Sequence, residues 1–431
     1  MSTGSNNGQG VAAVAVVRAS LGVVVVCAAV ALSLGSGVAS SSGVSGSGPA
    51  LGLRPAPRVE LHSVSCWSRR GCMALGLLWP RYVNLDQTGP YRPISYLRTG
   101  RSWSAERMPT RSVGSLQVSC PSSSACFAAG NDNEANRGLP LLERWNGRRW
   151  SIQPTPPSAR GADGYSVLFS DISCTSANAC TVVGIKGYMP LVERWNGRTW
   201  SQQQTAPHTR GWFTNVSCTS ATACVAVGFA GAGFSALAER WNGSSWSRVR
   251  IPSKGYFAGL YAAGGFDDLS CMSATACVAV GGWTADCPSS DLRVAHHRGP
   301  AKCTSGRLMW LWNGSHWTFS AAPGGVAFQW LSCVSARWCV ASSGELNAGV
   351  QHWNGVRWAP QLSPSLGTPN DGSCTATTSC VVVGAGELVC RPTQICQDIE
   401  GAPQPLVWIW NGNHWTDRSP PDPNRTNPTI R

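Results

Sequence analysis

Lysine is almost missing from this chain: three residues, Lys186, Lys254 and Lys302, stand among 431. Charged residues of all kinds reach only 13%, about half the usual share. Coiled coils and helical bundles need a charged outer face, so both are excluded, and no stretch shows a convincing amphipathic helical period. Runs of Lys or Arg are also lacking, which argues against a nucleic-acid reader, so no nucleic-acid partner is expected. There is no Gly-x-Ser-x-Gly elbow, no phosphate-cradling glycine loop and no His-Glu-x-x-His. The sequence therefore assigns no catalytic residue, no metal ligand and no cofactor.

What is present is turn formers, tryptophan and sulfur. Gly (48) and Pro (28) are plentiful, together well above typical usage. Hydrophobic residues at 43%, with 21 Trp and 19 Cys, exclude a disordered chain. The length suffices for two or three ordinary domains or one large repeat array. Thirty-four basic against 21 acidic residues give +13 at pH 7, a balance suited to an anionic partner such as a wall polymer.

An apolar run from Leu21 to Leu34 follows Arg18, with small residues at Val38, Ala39 and Ser40. Residues 1–40 thus read as a secretory signal peptide or, uncleaved, as a signal anchor, the only membrane contact expected. Cys27 falls inside the run without the residues that precede a lipidated cysteine. The Ser/Gly/Pro-rich stretch 41–58 reads as a flexible tether. Either form of the leader puts the remainder outside the cytosol, where disulfides persist.

Eighteen cysteines remain, and fourteen form seven pairs at one spacing: Cys66/Cys72, Cys120/Cys126, Cys174/Cys180, Cys218/Cys224, Cys271/Cys277, Cys333/Cys339 and Cys374/Cys380. Ser precedes every first cysteine, and Gly follows the second by four residues in six of the seven copies. Six pairs are followed by Trp-Asn-Gly-x-x-Trp, beginning at Trp145, Trp195, Trp241, Trp312, Trp353 and Trp410; a weaker copy runs from Arg98 to Trp103. The period overlaps the roughly 40–50 residues of propeller repeats, which supply four strands per blade.

In the fourth unit, Asn215–Cys218 and Cys224–Val227 read as one hairpin, and the segments flanking Asn242-Gly243 as a second. Seven units of four antiparallel strands predict an all-β, seven-bladed β-propeller over 59–420 with one disulfide per blade, followed by a tail at 421–431. A β-solenoid or separate small domains are the alternatives, though a unit of about 50 residues with one disulfide is marginal alone. A cysteine pair across a hairpin mouth suits a disulfide, each stabilising by about 2 kcal/mol on the entropic model.

A two-residue turn at Asn242-Gly243 would pair Trp241 with Ser244 and Glu239 with Trp246, placing both tryptophans on one face for packing between blades. A type I turn with a bulge would shift that pairing. Glu143, Glu193 and Glu239 recur just before Arg144, Arg194 and Arg240, as for a surface ion pair or cross-strand contact. Asp171, Asp267, Asp268 and Asp371 lie near the repeat cysteines and read as structural.

The copies differ chiefly in insertions at 77–93, 282–307 and 386–405, all between the two hairpins of a unit. In an up-and-down blade these share one face with the connectors between blades, opposite the disulfide loops. Cys287 and Cys303 lie in the second insertion and Cys390 and Cys396 in the third; each pair staples its own insertion, or the two insertions are cross-linked. Within this rim Trp283, Arg293, His296 and His297 are the candidate ligand-binding residues. His296-His297 makes a poor metal site, since adjacent residues point apart.

Ser217 to Gly228 followed by Glu239 to Ser247 resembles the repeat of a family of uncharacterised secreted proteins from high-GC actinobacteria, over roughly Val59 to Pro420. That resemblance implies export and a propeller-like architecture. The second hairpin also resembles the Asp-box of sialidase-like propellers, Ser-x-Asp-x-Gly-x-x-Trp, but Asn and Gly are adjacent here, one residue short of it. The expected role is an extracellular, monomeric binding or scaffolding module for carbohydrate or cell-wall polymer. The alternatives are a polysaccharide hydrolase or lyase, whose ionisable residues would converge on the central channel, and a docking platform for another extracellular protein.

Overall fold

The computed structural model describes residues 58–79, 91–132, 139–155, 167–207, 210–231, 235–252, 263–285, 304–322, 327–344, 349–386 and 404–420. The leader, nearly all of the tether, the tail and most of each long insertion lie outside the described residues. Among the described residues twenty-eight strands form seven antiparallel sheets, each from four strands consecutive in sequence. The blades span 58–106, 113–152, 167–202, 211–248, 263–322, 330–360 and 367–417. First strands stand side by side in chain order, and that of blade 7 returns against that of blade 1. The fold is a closed seven-bladed β-propeller.

All seven repeat disulfides are formed: Cys66–Cys72, Cys120–Cys126, Cys174–Cys180, Cys218–Cys224, Cys271–Cys277, Cys333–Cys339 and Cys374–Cys380. As expected they close the hairpin of the first two strands, in six blades between directly opposed residues, and the structure adds that the second cysteine of each pair is buried. Cys72, Cys126, Cys180, Cys277, Cys339 and Cys380 are fully buried, and Cys224 nearly so. Each second cysteine stands on an inner strand with a neighbour on both sides. Cys126, Cys180, Cys277, Cys339 and Cys380 face their first cysteines or lie beside them, and on the other edge pair with Trp145, Trp195, Trp312, Trp353 and Trp410; Cys72 pairs with Arg98 instead. The second cysteines of the pairs therefore belong to the core, and the disulfides they form are part of the packing of each blade.

There is one apolar cluster per seam between blades. Each sheet has two apolar faces and buries both only by stacking on two neighbours. Between blades 1 and 2, Met73 and Leu75 meet Val113, Leu116, Cys126, Trp145 and Trp150. At the closing seam Leu61, Cys72 and Tyr96 of blade 1 meet Val381, Val383 and Val407 of blade 7. The motif tryptophans thus pack between blades, as their repetition implies.

Their register differs from the two-residue turn. Trp241 lies directly opposite Trp246, and Glu239 opposite Arg248. The turn has four residues: the Asn242 side-chain oxygen accepts the backbone N–H groups of Ser244 and Ser245, both at 2.9 Å, and only Gly243 needs positive φ, at 100°. Both tryptophans still share a face, now as a direct pair with ring centroids 5.8 Å apart. The Trp241 indole N–H donates to the Ala221 carbonyl at 3.2 Å, pinning the disulfide loop of its own blade.

The glutamates are also placed differently from the expected surface pairs. Glu143, Glu193 and Glu239 are fully buried, where a carboxylate needs donors rather than water. Glu143 accepts the N–H and hydroxyl of Thr110, and Glu239 the N–H of Ala206 at 3.1 Å. Both partners lie in the connectors entering their blades, so the carboxylate ties connector to sheet. Two of the arginines turn to aromatic rings instead: Arg144 lies over Phe127 at 5.4 Å and Arg194 over Trp241 of the next blade at 4.3 Å.

The serine before each first cysteine joins the blades. Its hydroxyl oxygen accepts the cysteine N–H of the following blade at 2.9–3.0 Å, from Ser65 to Cys120, Ser119 to Cys174, Ser173 to Cys218, Ser217 to Cys271, Ser270 to Cys333 and Ser332 to Cys374. Ser373 completes the circle by accepting the N–H of Cys66 at 3.0 Å. Closure rests on side chains and packing, with no strand exchanged between the described blades.

The recurring glycine answers to a bulge. In six blades the first strand slips register upstream of its cysteine, between Phe213 and Asn215 in blade 4. The bulge aims a carbonyl at the second strand: a Cβ on Gly228 would stand 2.1 Å from the Trp212 oxygen, and one on Gly184 2.0 Å from that of Leu168.

Candidate functional site

Two places bring side chains of several elements together, the ring of first strands and the insertion-bearing face. On the first strands, the position three residues before the first cysteine carries Asp171, Asp268 and Asp371 in blades 3, 5 and 7. Each carboxylate accepts a backbone N–H of the following blade: Val216 at 2.9 Å, Leu331 at 2.6 Å and Val64 at 2.8 Å respectively. Asp268 also accepts the N–H of Leu269, and Asp371 that of Gly372. Burial pushes the Asp371 carboxyl up to about 7; the Val64 and Gly372 hydrogen bonds oppose this, and the negative charge of Asp171 adds to it. These groups hold seams together, as their repeat position implied. Among the described residues no three His, Cys, Asp or Glu side chains are grouped as a metal site.

On the insertion-bearing face, blades 3 and 4 build a cluster that the repeat does not contain. The second and third strands of blade 3 turn at Gly187 and Tyr188, and the connector to blade 4 comes alongside. The Gly211 N–H donates to the Tyr188 carbonyl at 2.8 Å, and the Gly231 N–H to that of Arg210 at 2.7 Å. Three segments are thereby fixed to one another by their backbones. Arg210 lies over the Tyr188 ring at 4.9 Å, and Tyr188 is 58% exposed beside Met189 at 44%. At the start of the first strand of blade 4, Trp212 pairs with Phe229 across the sheet, ring centroids 5.2 Å apart and both half-buried. Phe229 reaches over Gly265 of blade 5, where a Cβ would come within 1.9 Å of its ring.

Of the residues singled out from sequence, Trp283 lies near the end of the second strand of blade 5, its backbone paired with Gly264 and Gly306 on the same face. Arg293, His296, His297, Cys287, Cys303, Cys390 and Cys396 lie outside the described residues. Sequence reading passed over Tyr188, Arg210, Trp212 and Phe229. The signal was available for two of them: the Trp212 position holds Glu60, Gly114, Leu168, Gly265, Ala327 and Thr368 in the other units, and the Phe229 position Leu77, Asn131, Ile185, Gly282, Gly344 and Ala385.

The class so defined is a disulfide-clasped propeller with its departures from the repeat gathered on one face. No protein-family model and no curated protein matches the sequence. Among solved structures the chain is similar to the outer coat vertex of COPII on membranes (8% identity, TM-score 0.47, 85% of this chain and 100% of that one). It is also similar to the WD40 repeats of RRP9 (10%, 0.46, 83% and 97%). A third likeness is to the six-bladed fucose-recognising lectin of Aleuria aurantia (11%, 0.38, 84% and 96%). Likeness at this level bears on neither ligand nor activity, and the blade count rests on the strand pairing.

Proposed function

We propose that this chain is an exported binding module that holds a carbohydrate or cell-wall polymer on its insertion-bearing face. The observation that carries the reading is the cluster of Tyr188, Arg210, Trp212 and Phe229. These rings depart from the repeat and, unlike Trp330, which departs from it but is buried between blades 6 and 7, they keep exposed surface: Tyr188 is exposed, and Trp212 and Phe229 are half-buried. A fixed backbone with accessible aromatic faces is suited to stacking against sugar rings, which present C–H faces between polar edges. The three first-strand carboxylates, of the kind a hydrolase or lyase would call on, are already bound to backbone N–H groups. The apolar N-terminal run and the disulfides support export.

The test is titration of the purified chain with soluble polysaccharides and sedimentation with insoluble wall polymer. Trp212→Ala combined with Tyr188→Ala should weaken binding about tenfold or more, an energy in the range of lost aromatic contacts, with the unfolding midpoint followed alongside. Unchanged binding by the double variant, or no binding by the parent, contradicts the reading.

A further inference from the structure

We infer that the group recognised at this face is an anion carried on the polymer, a carboxylate or a phosphodiester, held by the Arg210 guanidinium while the neighbouring rings take the sugar. The inference rests on the binding reading above and names its ligand chemistry. Arg210 is exposed, and its side-chain contact is the stack on Tyr188. Stacking engages the flat face of a guanidinium and leaves its five N–H donors directed outward in the plane. Among the described residues none of these donors meets an acceptor, whereas Arg307, stacked on Phe328 in the seam of blades 5 and 6, donates to the Gln351 side chain at 2.9 Å. Arg194, stacked on Trp241, donates to the Ala221 carbonyl. Arg210 is thus held in place and left with donors that match a two-oxygen anion.

The surroundings have the same sign. Lys186 ends the second strand of blade 3 on the hairpin that carries Tyr188. No Asp or Glu occurs in 186–190, 210–214 or 228–231, the segments that build the cluster. A net charge of +13 adds a long-range attraction for an anionic chain. Tyr188 and Trp212 belong to the same backbone-tied segments as Arg210, so a charged sugar unit can meet cation and ring together.

The experiment titrates the full chain with three probes: a polyuronate, a polyol-phosphate polymer and an uncharged polyglucose. At least one anionic probe should bind about tenfold tighter than the neutral one, and which of the two does so identifies carboxylate or phosphodiester as the source. Arg210→Gln should weaken that binding about tenfold, with Arg210→Lys recovering only part because the paired donors are lost. Arg148→Gln, in a turn on the opposite face, is the control for diffuse charge. An equal loss in Arg148→Gln overturns the inference. Equal binding of the neutral probe, insensitive to Arg210→Gln but abolished by Trp212→Ala, also overturns it and leaves the polymer-binding reading standing. Failure of all three probes to bind overturns both. Among the described residues the Arg210 side chain touches only an exposed ring, so an unchanged unfolding midpoint in Arg210→Gln is expected.

Discussion

Blade 4 has Gly228 four residues after its second cysteine, and blade 6 has Ser343 there. In blade 4 the first strand bulges, and the bulged Thr214 donates its hydroxyl to the Phe266 carbonyl of blade 5 at 3.0 Å. In blade 6 the first strand begins at Trp330 with no slip upstream of Cys333, and the Trp330 indole N–H donates to the Pro369 carbonyl of blade 7 at 2.9 Å. Phe266 and Pro369 hold the same place, five residues before the first cysteine. Asn131 serves Phe169 at that place, and Asn370 serves Leu61. The seam therefore demands a donor to one particular carbonyl, and the residue that supplies it is free to change. Glycine goes with the bulged solution, and the blade without that bulge carries Ser343 in its place. The unbulged solution has its own small residue: a Cβ on Gly372 would lie 2.4 Å from the Trp330 ring.

The largest expected effect separates the two solutions. Trp330→Ala removes the ring and the donor together and should cost about 4 kcal/mol, as large core deletions do, measured by denaturant unfolding. A midpoint equal to the parent's would show that blade 6 does not depend on its tryptophan. Next, Gly184→Ala in bulged blade 3 should cost about 3 kcal/mol, since the obstructing atom is backbone, while Ser343→Gly in blade 6 should stay within about 1 kcal/mol. Similar losses in both would dissolve the distinction.

Smaller effects test what the blades share. Ser173→Ala leaves the Cys218 N–H without its acceptor and should cost about 1–2 kcal/mol, with Ser332→Ala at the blade 6 seam costing the same; a difference between them would mean that the serine bonds are not equivalent. The smallest concerns pH. The folded-state pKa of Asp371 is raised to about 7, so its contribution is fully present below the unfolded carboxylate value and is lost as pH rises through about 7. Stability should fall by roughly 1 kcal/mol between pH 6 and pH 8 from this group, and Asp371→Asn should flatten that slope. His62 acts in the opposite sense, because burial lowers its pKa and stability from it is lost on acidification below about 6.5. A slope unchanged in Asp371→Asn would assign it elsewhere.

Blade number, strand number and the seven disulfides were legible because each is announced by residues close in sequence: a cysteine pair six apart and a turn bounded by tryptophans. The depth of the sulfurs was not, because Cys180 and its counterparts are covered by the neighbouring blade as much as by their own. The glutamates misled because their arginine neighbours are adjacent, while the true donor, Thr110 for Glu143, arrives from a connector 33 residues upstream. Seven serines were visible as a pattern, but their partners lie one blade away, beyond any local rule. The turn register turned on the Asn242 side chain, which closes a four-residue loop as readily as Asn-Gly closes a two-residue one. At the candidate site, Trp212 and Phe229 could be read as departures from the repeat, whereas Arg210 meets Tyr188 only through the packing of two blades.

Ring closure is tested most directly by hydrogen exchange at the seven first-cysteine amides. With Ser373 accepting the Cys66 N–H, that amide should be protected to the same order as Cys120, Cys174, Cys218, Cys271, Cys333 and Cys374, and Ser373→Ala should selectively release it. Exchange at Cys66 orders of magnitude faster than at the other six, unaltered in Ser373→Ala, would mean that blades 7 and 1 do not meet as described.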